Sequence, residues 1–140
     1  MSTEAPLIHD GSQCTAAANY WNPASALDGP NGSGQFLGVY ISAARVVTVV
    51  ATQGAAGYGF LQNTPPQGMA ADVGIAGCSK MVAGAAISAG AELMFDANGR
   101  VIPWTSGSGY AKVGRAIEAA TGANQVILGL IYNPNVVALT

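Results

Sequence analysis

The chain is poor in charge. Asp, Glu, Lys and Arg make up 9% of its 140 residues, against about 25% in ordinary soluble domains. Five basic and seven acidic residues leave a formal net charge of −2. So few cations give no electrostatic footprint for nucleic acid, and no nucleic-acid partner is expected. Histidine occurs once, at His9, and cysteine twice, at Cys14 and Cys78. One His and two distant Cys do not assemble a structural zinc tetrahedron, so neither a metal nor another cofactor is expected. Two cysteines are no disulfide framework, and both are expected as free, small apolar side chains. Long apolar runs are also missing. "VVTVVA" at 46–51 is far short of the ~20 residues that cross a bilayer as a helix, so no membrane partner is expected. "MSTEAPLIHD" has neither the basic region nor the apolar core of a secretory signal, which implies a protein made and used without export.

Glycine is abundant instead. Nineteen glycines and seven prolines break the chain into short runs of Val, Ile, Leu and aromatics, the pattern of short strands joined by tight turns. Strands are predicted at 35–41, 45–51, 57–62, 72–83, 92–95, 100–104, 110–119 and 124–133. Eight strands at this spacing suit an all-β domain, either a compact β-sandwich or a small barrel, jelly-roll-like in outline. One stretch is ambiguous. In 110–122, Val113, Ala116, Ile117 and Ala120 fit a helical stripe with Gly122 as its C-terminal stop, while Ala111, Val113, Arg115, Ile117 and Ala119 fit one face of a strand.

Residues 1–34 have few β-branched side chains and end in a Gly/Asn/Ser cluster. They read as an extended N-terminal arm, with residues 35–140 as the β-domain. Large apolar groups in such a segment need burial, either in their own core or on a neighbour. Leu7, Ile8, Tyr20 and Trp21 are therefore its candidate partner-binding residues.

The best candidate for chemistry is "DANG" at 96–99, with Arg100 next to it. Flanked by Leu93, Phe95, Val101 and Ile102, it reads as a hairpin turn. Asp at the first position bonds its own backbone, and Gly at the fourth tolerates positive φ. Pro103 cannot donate to a ladder, so the second strand is at an edge or stops there. His9 with Asp10 and Cys14 does not form a triad, because adjacent residues of an extended chain point apart. "GAAGYG" at 54–59 and "GSGYAK" at 107–112 lack phosphate-loop spacing. No catalytic residue is assigned, and the chain is not expected to be an enzyme.

Half the residues are apolar and few are charged. Either neutral polar groups cover the surface, or other molecules do. The second reading is favoured, because a monomer ordinarily keeps itself soluble with charge.

The order "GQFLGVYI", "VVTVVATQG", "DVGIAGCSKMVAGAAISAGAELMFDANGRVIPW" and "VGRAIEAATGANQVILGLI" resembles the cement, or decoration, proteins of tailed-bacteriophage capsids. The likeness spans roughly residues 34–132 and lies in turn glycines and apolar spacing. It implies a strand at 110–119 and an all-β structural virion protein. Such a protein is made in the host cytoplasm and sits on the capsid exterior. There it binds the major capsid protein as a homodimer or homotrimer at symmetry axes and braces the shell against internal DNA pressure. It also implies that a terminal arm engages the shell, with 1–34 in that role and 133–140 as a second candidate. The alternative function is a ligand-binding β-sandwich, a carbohydrate-recognition or adhesion module, with Trp21, Trp104 or Tyr58 lining its groove.

Overall fold

The computed structural model describes residues 7–10, 13–21, 27–106 and 109–132. Ten strands account for most of the regular structure. β1 (Leu7–His9) and β2 (Thr15–Ala16) come first, followed by β3 (Gly38–Ala43), β4 (Val46–Val49), β5 (Gly59–Leu61) and β6 (Val73–Val82). The remainder are β7 (Glu92–Phe95), β8 (Val101–Pro103), β9 (Gly114–Ala116) and β10 (Val126–Ile131). A single 3-10 turn at Pro30–Gly32 is the only helical element among the described residues. All eight predicted runs contain a strand, most trimmed at their ends by the flanking glycines and polar residues.

The stretch that also fitted a helix is β9, and it is only three residues long. Its neighbour decides it. Ile117 and Glu118 both donate their backbone N–H to the carbonyl of Leu128, at 2.9 and 3.2 Å. Two residues thus oppose one, a β-bulge that ends the ladder and bends the strand away.

The strands form one sheet in the order β2-β4-β3-β5-β6-β10-β9-β7-β8, with β1 on β6. β6 is where it divides. Gly77 pairs with Leu7 of β1 and with Ile131 of β10, and Gly74 pairs with His9 of β1 and Phe60 of β5. A residue has one partner on each side, so β5 and β10 share the side of β6 away from β1, at different heights. The sheet therefore forks into a β2–β5 wing and a β7–β10 wing. The second wing curls until Ala83, just past β6, bridges Val101 of β8. The sheet does not close into a barrel, so of the two architectures predicted it is the sandwich-like one that forms.

The buried side chains form two core clusters, and β5 and β6 contribute to both. Phe60, Met81, Leu93, Phe95, Val101 and Ile127 belong to one cluster. Tyr20, Leu37, Val39, Val47, Leu61 and Val73 belong to the other. Removing such side chains from water stabilises the fold by about 1.5–3 kcal/mol each. The wings meet at Phe95, whose ring lies 5.3 Å from that of Phe60. It packs against the backbone of β3, where a Cβ on Gly38 would come within 2.2 Å of the ring. Only glycine lets backbone and ring approach this closely.

Candidate interaction surfaces

The "DANG" stretch forms the β7–β8 hairpin turn. Asp96 is 8% exposed, and its Oδ1 accepts the backbone N–H groups of Asn98 (2.8 Å) and Arg100 (2.9 Å). Oδ2 accepts Arg100 Nε at 2.9 Å. Gly99 takes φ +79°. Both carboxylate oxygens thus serve the bend and the arginine that follows it. β8 stops at Pro103 and is the last strand of the sheet, as its missing N–H dictates.

The N-terminal residues are woven into the sheet over their described part. β1 pairs antiparallel with β6, and β2 runs parallel to β4. Nδ1 of His9 lies 2.6 Å from Oδ1 of Asp72, tying β1 to the residue just before β6. Cys14, Ala16 and Tyr20 are buried in the second core cluster. Leu7 shares a face with Gly77 and Ile131 and packs on the first cluster. Of the four expected contact residues, then, Leu7 and Tyr20 face inward. Ile8 and Trp21 face outward, 60% and 42% exposed.

Tyr20 has a specific task. Its phenol oxygen accepts the backbone N–H of Val49 at 3.1 Å. β2 covers the edge of β4 as far as Val47, whose carbonyl accepts Ala17 N–H at 3.0 Å. The Tyr20 hydroxyl satisfies the next free edge donor. Burial raises its pKa above the usual tyrosine value, because a phenolate there would be desolvated.

Two outward surfaces are apolar. The first is the far end of the β3–β4 hairpin. Residues 40–45 are exposed on both faces of the strand, so the hairpin projects beyond the core and presents Tyr40 and Ile41. Ser42 Oγ and Thr48 Oγ1, 2.6 Å apart, stitch its two strands. The second is the outer face of β1, β6, β10 and β9. Val126 and Leu130 of β10 are exposed and Leu128 is half-buried, and the alternate residues Ile127, Gly129 and Ile131 are buried. Ile8 and Ile117 extend this face on either side. An open groove of about 280 Å³ beside Leu27, Asp28 and Asn124 continues it past Val126. Of the residues on these two surfaces, sequence reasoning singled out Ile8 alone. A signal for the second was present: "VILGLI" is apolar at every position but its glycine, whereas an antiparallel strand with one wet face ordinarily alternates.

An ionic cluster sits on the second wing. Glu92 receives Lys112 Nζ at 2.9 Å and the Tyr132 hydroxyl at 3.0 Å, with Arg115 at 3.5 Å. The Lys112 hydrogen bond, followed by that from Tyr132, holds the Glu92 carboxyl below the usual glutamate range. Trp104, a candidate sugar-stacking residue, has Lys112 Nζ 4.5 Å from its ring centroid, and its Nε1 donates to the Tyr110 carbonyl at 3.0 Å. Tyr58 packs on the second core cluster. The cavity bordered by Tyr58, Lys112 and Tyr132 measures about 10 Å³, room for a single water.

An open all-β sheet whose outward features are apolar faces and a projecting hairpin defines a protein organised around surfaces. Comparison with known proteins gives this class its family. The model of the phage cement protein family matches residues 33–131, and the chain belongs to that family, a structural component of the virion. Among solved structures, the head fiber gp8.5 N base of bacteriophage phi29 shares the fold. Its TM-score is 0.63 at 16% identity, over 91% of this chain and 95% of that one. No curated protein matches.

Proposed function

We propose that this chain binds the outer surface of the major capsid shell and stabilises it against the pressure of packaged DNA. Family membership across residues 33–131 carries this reading. The exposed apolar surfaces of a chain with 9% charged residues support it, because contiguous apolar patches mark sites that another molecule covers. Synthesis takes place in the host cytoplasm, and the mature position is the capsid exterior. Many copies acting together hold the shell without strong individual contacts.

On this reading Trp21 and the tip of the β3–β4 hairpin meet the shell. Trp21 follows Tyr20, which is bonded to that same hairpin through Val49. Leu7 and Tyr20 contribute indirectly by seating the N-terminal segment. Purified protein added to expanded shells that lack it is expected to bind to a saturating copy number and to raise the temperature at which the shells rupture. Tyr40→Ala with Ile41→Ser is expected to reduce occupancy at a fixed concentration, with the unfolding midpoint of the free protein little changed. Shells that take up no protein, or that rupture at an unchanged temperature when saturated, refute the proposal.

A further inference from the structure

The open groove past Val126 is bordered by polar groups with bonding capacity to spare. Its walls include Leu27, Asp28, Pro30, Asn31, Asn124 and Val126, and it measures about 280 Å³. Arg100 organises one side. Its Nε donates to Asp96 Oδ2 at 2.9 Å and its Nη1 to Asn124 Oδ1 at 3.0 Å. With that oxygen engaged, Asn124 offers the groove the donors of its Nδ2. Asp28 Oδ2 lies 3.9 Å from Arg100 Nε, too far for a hydrogen bond. Neither the Asp28 carboxylate nor the Asn31 carboxamide makes a side-chain hydrogen bond among the described residues.

The surrounding charges favour a neutral occupant. An anion would face the Asp28 carboxylate, and a cation would meet a single carboxylate that Arg100 already faces. Other charges on this side of the sheet are engaged elsewhere. Lys80, paired with Leu128, lies 5.7 Å from the Phe36 ring centroid, and Glu118 Oε1 accepts the Leu128 N–H at 2.7 Å. Arg115, paired with Leu130, donates to the Gly90 carbonyl at 2.9 Å and stands 3.5 Å from Glu92. A hydroxyl group both donates and accepts. Adjacent hydroxyls on one ring can therefore donate to Asp28 and accept from Asn31 and Asn124. The groove falls just under the roughly 300–1,000 Å³ of clefts that hold drug-sized ligands, so it suits one ring rather than a chain.

We propose that this groove binds the terminal ring of a neutral saccharide. Asp28 accepts from its hydroxyls, Asn31 and Asn124 donate to them, and Leu27, Pro30 and Val126 carry its C–H face. Trp21, Trp104 and Tyr58, the aromatics expected of a sugar groove, are not among the described residues that border it. A single site is therefore weak, with a Kd of about a millimolar. Many copies on one surface raise the avidity. That gain rests on the shell role proposed above, and the site itself does not.

Proton–nitrogen correlation NMR of the full-length chain, titrated with the methyl glycosides of glucose, galactose, mannose and N-acetylglucosamine, tests this. At least one probe is expected to shift the Asn31 and Asn124 side-chain amides and the Val126 N–H saturably. Asp28→Asn is expected to raise the Kd on the order of tenfold. Asn31 and Asn124 hold left-handed backbone, at φ +58° and +66°, which glycine adopts without strain. Asn31→Gly and Asn124→Gly thus remove the amides while keeping the path of the chain, and each is expected to weaken binding severalfold. Should Asn124→Gly unfold because Arg100 loses a partner, Asp28→Asn and Asn31→Gly must still do so. The inference is overturned if no glycoside gives a saturable shift at about ten times that Kd, or if Asp28→Asn binds as tightly as the wild type. Tighter binding of glucosamine or glucuronic acid than of methyl glucoside also overturns it. So does N-acetylglycine methylamide shifting the same signals while the glycosides do not, which gives the groove to a peptide backbone. Protein that binds a glycoside but ignores shells keeps the groove and sinks the shell role. Protein that saturates shells but binds no glycoside does the reverse.

Discussion

Two adjacent aromatics give the sharpest test of how the N-terminal segment is used. Tyr20 is 3% exposed and bonded to Val49 N–H, and Trp21 next to it is 42% exposed. Tyr20→Phe keeps the ring but leaves a buried backbone donor without an acceptor, which costs about 1–3 kcal/mol. In a domain of this size each kcal/mol moves the thermal midpoint by roughly 3 °C, so a fall of about 3–9 °C is expected. Tyr20→Ala adds the loss of a packed ring, about 3–5 kcal/mol, for a total of about 4–8 kcal/mol. Against a typical net stability of about 5–15 kcal/mol, that leaves the protein marginal. Trp21→Ala is expected to cost less than about 1 kcal/mol. Thermal and urea unfolding followed by circular dichroism measure all three. If Tyr20→Phe and Tyr20→Ala unfold with the wild-type midpoint, residues 13–21 are not part of the core and the reasoning fails. If Trp21→Ala is as destabilising as Tyr20→Ala, the assignment of inside and outside is wrong.

Two further predictions concern the contact between the wings and the ionic cluster at Glu92. Gly38→Ala drives a methyl into the Phe95 ring and is expected to cost about 1–3 kcal/mol or more. Adding Phe95→Leu should recover part of that loss, and a wild-type midpoint for Gly38→Ala alone would show that the wings do not meet at this point. Glu92 has a folded pKa below its ordinary value of 4.5, so folding favours its charged form. That contribution is complete above the unfolded value and is lost as pH falls through the lowered folded one. The wild type is therefore expected to lose stability on acidification below about pH 4.5 more steeply than Glu92→Gln. Equal slopes in unfolding midpoints taken from about pH 6 to pH 3 would remove Glu92 from the acid response.

Much of this was legible because it is local. The turn at Asp96–Gly99 is decided by residues within four positions of one another, and Asp96 forms the expected bond to the backbone two residues on and a second to Arg100 N–H. Pro103 ends β8 at the sheet edge for a reason carried by Pro103 alone. Strand positions followed from short runs of Val, Ile, Leu and aromatics between glycines, since each run is read without knowing its partner. The stretch at 110–122 shows where this stops. Its periodicity fitted a helix as well as a strand, and the choice fell to β10 through the two N–H groups bonded to Leu128.

The amino-acid sequence by itself determined an all-β chain of short strands, its hairpin turn and a surface poor in charge. Only the tertiary structure decided which apolar residues form that surface. Tyr20 and Trp21 are chain neighbours of similar hydrophobicity. Which one goes inside is settled by the unsatisfied N–H of Val49, twenty-nine positions away. Likewise, Lys80 and Glu118 flank Leu128 only because β6, β10 and β9 lie side by side. Burial and charge pairing across strands depend on register, and register is a property of the assembled sheet.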